Sequence, residues 1–354
     1  MSDVDIFAER IEVLVRDGQV LEAHKAISRH MAKQKLSLKI FGIWMEIAEA
    51  TRCTPLAAIK TAMKRAPLSA TDKAILDSYV FVDAWLRFDT QMLQSLMTQH
   101  QDFTLAEDGD AMARICRIYF KFCIRLLNYR LQHLEEYSSG FEEQLVFIGE
   151  SHALVPAGKI FPWRGKSVQA STAPIRGIKM FHLGNGASPK WKPYFREKLG
   201  TLPDGCGIVL AIGEIDCRPD EGVFPTAHQM GLSPAALLDK TVREFVASAS
   251  AEFGKLDKKF TGVTLMGTPF PVYATEGRLP ANATQEEFLQ FVADANGVIR
   301  DQALQAGWDF LDVYAATYEK AKAADSPLRI DETHLSPAFY DQADRWRLSP
   351  DGSV

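Results

Sequence analysis

No run of eighteen apolar residues occurs in the 354-residue chain, so no membrane-spanning helix is expected. Cysteine is scarce: the five are Cys53, Cys116, Cys123, Cys206 and Cys217, with no C-x-x-C among them. An odd, scattered set excludes a disulfide framework and a zinc ribbon. A basic excess is missing as well. Lys and Arg total 40 against 45 Asp and Glu, a net charge of −5, which excludes a globally basic nucleic-acid footprint. The opening MSDVDIFAERIE is acidic and amphipathic, with no basic segment leading into an apolar stretch, so no signal peptide is expected and the protein is expected in the cytoplasm. Hydrophobic residues make up 47%, enough for sizeable cores, and the length points to two domains.

Proline is nearly absent from the first 136 residues, where only Pro55 and Pro67 occur. Apolar residues there recur at three and four: Ile6, Ile11, Leu14 and Val15, then Val20, Ala23, Ala26 and Ile27. Gly18 separates these two helices as a C′ glycine would. Further helices are expected over 38–50, 55–65, 70–88, 90–100 and 110–134, with Thr54 and Ser69 as N-caps. The pair-to-pair spacing of about 33 to 36 residues is close to that of tetratricopeptide-like helical hairpins. Residues 1–138 are therefore expected to form an all-α domain, either a short degenerate solenoid that recruits a protein partner or a helical bundle. Trp44, Trp85, Phe120 and Phe122 are expected in its core, and Cys116 and Cys123 share one helix face as small buried residues.

From Gln144 the pattern changes. Short apolar runs alternate with helical segments, and the expected strands are 145–148, 178–183, 208–212, 263–266 and 308–313, with helices near 234–253 and 285–306. Such alternation implies an α/β domain over 139–354 with a parallel sheet, strand order 2-1-3-4-5, and a site beyond the carboxyl ends of the strands. Those ends carry Gly149-Glu150-Ser151-His152, Gly184-Asn185-Gly186 and Gly213-Glu214-Ile215-Asp216-Cys217-Arg218, and Asp331-Glu332-Thr333-His334 follows near the C-terminus. A serine hydroxyl needs a base to take its proton, and the imidazole needs an acceptor to fix its tautomer. Asp331 and His334, three apart, can present both groups from one turn. Glycine-rich turns supply backbone N–H groups for an oxyanion.

With these residues in this order, 144–337 resembles the SGNH or GDSL-like hydrolase superfamily. The family's Gly-Asp-Ser block is similar to Gly149-Glu150-Ser151, its second-block glycine to Gly184 or Gly186, its Gly-x-Asn-Asp block to Gly213–Asp216, and its Asp-x-x-His block to Asp331 and His334. The resemblance implies a flavodoxin-like αβα sandwich, Ser151 as nucleophile, His334 as base, Asp331 as its orienter, and Ser151 and Gly184 as backbone oxyanion donors. It implies ester hydrolysis or acyl transfer without a cofactor. The Gly-Glu-Ile-Asp-Cys-Arg string resembles a variant third block of polysaccharide-associated relatives, which turns the substrate expectation toward saccharide esters. Ile215 stands where the family has an oxyanion-donating Asn, and Asn185 or Arg218 is the expected substitute. The competing reading is a catalytically degenerate domain that acts as a scaffold.

Other readings of the same residues are weaker. Gly149-x-Ser151-x-Ala153 is similar to a nucleophile elbow of α/β-hydrolases, but that elbow follows several strands and here only helices precede it. Gly165-Lys166-Ser167 would end a P-loop only with a glycine at 160, which is Ile160. Glu214 and Asp216 have no histidine at helical spacing, so no metal site is expected. His152 and His182 are expected to line the pocket or to be structural, and Cys217 to be packed.

Overall fold

The computed structural model describes residues 3–33, 37–51, 69–105, 111–137, 144–185, 190–272, 277–320 and 326–351. It divides into two compact units, Met1–Glu135 with Pro193–Thr201, and Glu136–Lys192 with Leu202–Val354. The expected boundary at 138/139, the expected helix 55–65 and its Thr54 cap lie outside the described residues. Among the described residues, no helix is long and apolar enough to cross a membrane.

The first unit holds helices α1 (Asp3–Arg16), α2 (Val20–Lys33), α3 (Leu38–Thr51), α4 (Ala70–Leu86), α5 (Thr90–Gln99), α6 (Gln101–Leu105) and α7 (Ala111–Gln132). Neighbours pack on one another: α1 on α2 and α3, and α4 on α5 and α7. The starts are set by local chemistry. Ser69 and Asp72 form a reciprocal capping box for α4, and Asp89 accepts from the Met92 N–H to cap α5. Trp44, Trp85, Phe120, Phe122, Cys116 and Cys123 are all buried. Within this core, His100 Nε2 lies 2.7 Å from the buried Asp77 carboxylate.

The second unit is an α/β fold built on one seven-stranded sheet. Its strands are β1 (Gln144–Gly149), β2 (Ile160–Trp163), β3 (Lys166–Pro174), β4 (Gly207–Ala211), β5 (Gly262–Met266), β6 (Asp309–Leu311) and β7 (Arg347–Leu348), in the order β2-β3-β1-β4-β5-β6-β7. The five central strands are parallel, and the edge strands β2 and β7 are antiparallel. Leu145–Gly149 and Ile208–Ala211 are buried at every residue, the pattern of strands covered on both faces. The parallel order is the expected 2-1-3-4-5, but its second strand is β3.

Of the segment expected as that strand, 178–183, residues 180–183 are helical instead. They belong to α8 (Met180–Gly184), whose Met180 and Leu183 are buried at helical spacing. The start of α8 has no side-chain cap of its own. Asp216, thirty-six residues away, accepts from the Met180 N–H at 2.7 Å and the Phe181 N–H at 3.2 Å. β3 itself is mostly polar, with only Val168, Ala170 and Ala173 as buried apolar residues before its last proline, so apolar content hides it. The remaining helices are α9 (Trp191–Gly200), α10 (Val223–Met230), α11 (Pro234–Phe253), α12 (Gln285–Gln305) and α13 (Val313–Lys320), and residues Pro193–Thr201 of α9 group with the first unit.

The β2–β3 hairpin turns on Arg164 and Gly165, both with positive φ (51° and 72°), as a two-residue turn of the I′ kind requires. Arg164 then donates to Asp309 Oδ2 at 2.7 Å and to the Thr261 carbonyl at 3.2 Å, and the Gly165 N–H donates to Asp344.

Candidate active site

β1 ends at Gly149 because the chain must pass close to β4. A Cβ at Gly149 would lie 1.9 Å from the Ala211 carbonyl oxygen, so no other residue fits. The chain then enters a 3₁₀ turn, Ser151–Leu154, with Glu150 as its N-cap. Asp331–His334 sits at the tip of a short loop closed by the Arg329↔Leu335 bridge and by the Ile330 N–H on the His334 carbonyl. Behind that loop, Tyr340 packs edge-on against Phe147 of β1, which ties the loop to the sheet.

These two loops meet. His334 Nε2 lies 2.8 Å from Ser151 Oγ. His334 Nδ1 lies 2.9 and 3.0 Å from the two oxygens of Asp331. Asp331 Oδ1 also accepts from the Thr333 and His334 N–H groups, which fixes the loop backbone. Burial pushes the Asp331 carboxyl up, but the His334 charge and these hydrogen bonds outweigh it and hold the group well below the usual carboxylate range. Ser151 and His334 are 7% and 5% exposed. The arrangement is a nucleophile, a base and an orienter in hydrogen-bond contact.

A second pair flanks the serine. Ser151 Oγ lies 2.5 Å from Glu150 Oε2, and Glu150 Oε1 accepts from His152 Nδ1 at 2.9 Å. His152 Nε2 lies 3.2 Å from the Thr333 carbonyl. Burial raises the Glu150 carboxyl, yet the charge and hydrogen bond of His152 bring it down to about 2. For His152, burial works against the charged form, and Glu150 and Glu214 more than offset it, so its pKa is raised. The sequence marks His152 as pocket-lining or structural but cannot show its acceptor at Thr333, 181 residues away.

The third-block residues are engaged elsewhere. Arg218 Nε donates to both Glu214 oxygens at 3.0 and 2.9 Å, Nη2 to Glu214 at 2.7 Å and Nη1 to Glu221 at 2.7 Å. Its fork is filled by carboxylates. Burial raises the Asp216 carboxyl to about 6, against the two α8 N–H donors. Gly213 has φ +136°, and a Cβ there would press on Met180. Ile215 is buried and offers no side-chain donor. Cys217 is buried, and burial pushes its thiol up out of the reactive range.

Gly184 is the last residue of helix α8 and Asn185 its C-cap, contrary to the expectation that they follow a strand. The missing Cβ of Gly184 would lie 2.9 Å from Glu244 Cβ and 3.0 Å from the Phe245 N, so this glycine allows α8 to pack closely on α11. Asn185 ends α8 with its N–H on the Phe181 carbonyl. Gly186 lies outside the described residues. His182 stacks on Trp191 at 4.6 Å, and burial with the nearby Lys179 and Lys190 charges lowers it to about 4.

Glu150, His152 and Glu214 place three ligand-type atoms within 4.8 Å of one another. The set does not fit a cation. Both His152 nitrogens face acceptors, and Glu214 is held by Arg218.

No family model and no curated protein matches the chain. Solved structures similar to it include a lipase/acylhydrolase from Enterococcus faecalis, 14% identical, covering 58% of this chain and 92% of that one, TM-score 0.35. An acetyl-xylooligosaccharide esterase from Geobacillus stearothermophilus is 19% identical over 58% of this chain and 92% of that one, TM-score 0.36. Phospholipase A1 from Streptomyces albidoflavus is 18% identical over 57% of this chain and 95% of that one, TM-score 0.32.

Proposed function

We propose that the α/β unit is a serine acyl hydrolase acting on ester bonds. The observation that carries this reading is the Ser151–His334–Asp331 relay, with contacts of 2.8 and 2.9 Å. In the proposed reaction Ser151 Oγ attacks the ester carbonyl carbon while its proton passes to His334 Nε2. Asp331 stabilises the imidazolium that forms. His334 then gives the proton to the leaving alkoxide, and an acyl-Ser151 ester remains. Water, deprotonated by His334, attacks the acyl carbon, and His334 returns that proton to Ser151 Oγ as the acid is released. A sugar hydroxyl in place of water makes the same chemistry an acyl transfer. The Ser151 N–H, at the start of its 3₁₀ turn, is the proposed backbone donor to the oxyanion. The resemblance of the third block favours a saccharide ester as substrate, and the helical unit is the proposed site of a protein partner.

The test is hydrolysis of an activated acetate ester. Ser151→Ala is expected to lower turnover by about 10⁴ to 10⁶ with the fold intact by circular dichroism. A fluorophosphonate should label the unmodified protein at Ser151. Equal rates for Ser151→Ala and unmodified protein, together with no label, support the scaffold reading instead.

A further inference from the structure

His152 is completely buried, with 0% exposure, one residue from the nucleophile. Its two ring nitrogens face only acceptors: Nδ1 the Glu150 carboxylate at 2.9 Å, and Nε2 the Thr333 carbonyl at 3.2 Å. A backbone carbonyl cannot donate, so Nε2 must carry a proton, and the ionised Glu150, its carboxyl brought down to about 2, cannot donate to Nδ1. Beside an ionised Glu150, a neutral imidazole would set a lone pair against one of these oxygens, with the ring itself wholly buried. We propose that His152 is a positioning residue that works as a permanent imidazolium, tying the nucleophile loop to the base loop and cancelling the charge of the Glu150 carboxylate beside Ser151. This inference rests on the esterase reading for its catalytic consequence, but not for its charge state.

The charges around the serine then balance in pairs. Asp331 faces His334, Glu150 faces His152, and Glu214 faces Arg218. These are the titratable groups that reach His152. Glu150 shares its 3₁₀ turn, Glu214 and Arg218 come from the loop after β4, and the His334 ring lies 5.1 Å away on the base loop. The buried Tyr340 hydroxyl feels the Glu150 charge, and burial and that carboxylate keep it protonated. Attack by Ser151 puts negative charge on the substrate oxygen. An uncompensated Glu150 carboxylate at the serine would oppose that charge and favour a protonated base. The His152 cation removes this opposition, while its Nε2–H holds the Thr333 carbonyl next to His334. Glu150 can therefore hold the Ser151 hydroxyl at rest and release its one proton to His334 on attack.

The charge state is read without turnover, from the imidazole ¹⁵N spectrum of protein labelled at its 8 histidines, with His152 assigned by its loss in His152→Asn. At pH 7.5, above an ordinary histidine pKa of about 6.5, both His152 nitrogens are expected in the protonated range. A neutral tautomer at that pH overturns the proposal. The positioning role is read from pH–rate profiles. His152→Asn is expected to lower kcat by about 10² and to move the acid limb up by about one pH unit, as an unbalanced charge at this range would. The double variant Glu150→Gln/His152→Asn, which removes both charges, should return the limb to within about 0.3 units of the unmodified protein. A role in packing alone predicts a lower rate with the limb unmoved, and that result rejects the charge argument, as does a limb that stays displaced in the double variant. If His152→Asn does not fold, His152→Gln replaces it and the spectrum of the unmodified protein still decides the charge state. A doubly protonated His152 in a protein that hydrolyses no ester supports the assignment and removes the esterase reading alone.

Discussion

The loop after β1 and the loop after β4 end neighbouring strands of one sheet, and both carry buried carboxylates, Glu150 in the first and Glu214 and Asp216 in the second. In the first, Ser151 is engaged by His334, and the surrounding acids hold histidines. In the second, the acids hold structure: Glu214 and Glu221 fill the fork of Arg218, and Asp216 caps α8 from a distance. A strand-end position brings a residue to the site edge, but its hydrogen-bond partners decide whether it can act on a substrate. A carboxylate whose oxygens are fully occupied by backbone N–H or guanidinium is a strut.

The sharpest way to break this comparison is to substitute one residue of the serine relay and one of the loop after β4, and to read both rate and stability. Asp331→Asn is expected to cut turnover on an activated acetate ester by about 10⁴, because the His334 tautomer is no longer fixed. Arg218→Lys is expected to do the reverse. It should lose about 1 to 3 kcal/mol of stability as the fork contacts to Glu214 and Glu221 go, with turnover held within about tenfold. Denaturant melts and kcat measured on the same samples give the answer, and a Lys variant that is as stable as the unmodified protein but inactive would move Arg218 into the catalytic group.

Asp216 of the loop after β4 and Asp331 of the serine relay also differ in the sign of their pH dependence. Asp216 is raised to about 6 by burial, against about 3.9 in an unfolded chain. The folded state therefore binds this proton first, and the stability linked to Asp216 is lost as pH rises from about 4 through 6, by about 3 kcal/mol. Asp331 is lowered by His334 and its N–H donors, so its contribution is present above about pH 4 and is lost as pH falls below that. Asp216→Asn should remove the first effect only. Urea unfolding of the variant and the unmodified protein at steps between pH 4 and 6.5 should give different slopes, and parallel lines would show that Asp216 does not titrate there.

The smallest effect is expected at Asn185. It ends a helix that packs on α11 and is not in a strand-end loop, so Asn185→Ala should keep turnover within about twofold of the unmodified protein. A loss of about 10² with substrate affinity unchanged would restore it as an oxyanion donor.

Much of the scaffold could be read before any coordinates. β1, β4 and β5 are apolar runs, and α11 announces itself with Ser233 as N-cap and Pro234 at the first helical position. Ser151, Asp331 and His334 stand out because their residue types and order are those a serine relay needs. What stayed hidden depends on distant partners. β3 is held by its pairing with β1 and carries few large apolar residues, while α8 owes its start to Asp216. The role of His152 depends on a carbonyl in another loop, and no local pattern encodes an acceptor so far along the chain. Asn185 was misplaced for the same reason, since its glycine neighbour serves the contact with α11.

The hairpin turn at Arg164 bears on the order of folding. Its bond to Asp309 joins residues 145 apart, and the Gly165 bond to Asp344 joins residues 179 apart. Contacts of such separation carry a large loop-closure cost until the strands between them are in place. We expect them to be absent from the folding transition state and present only in the native protein, where they act as a latch on unfolding. Stopped-flow traces of Arg164→Ala should show faster unfolding and an unchanged folding rate, whereas slower folding would mean that the hairpin tip docks early. If unfolding alone is faster, the end of the sheet remote from Ser151 sets how long the active site, once assembled, persists.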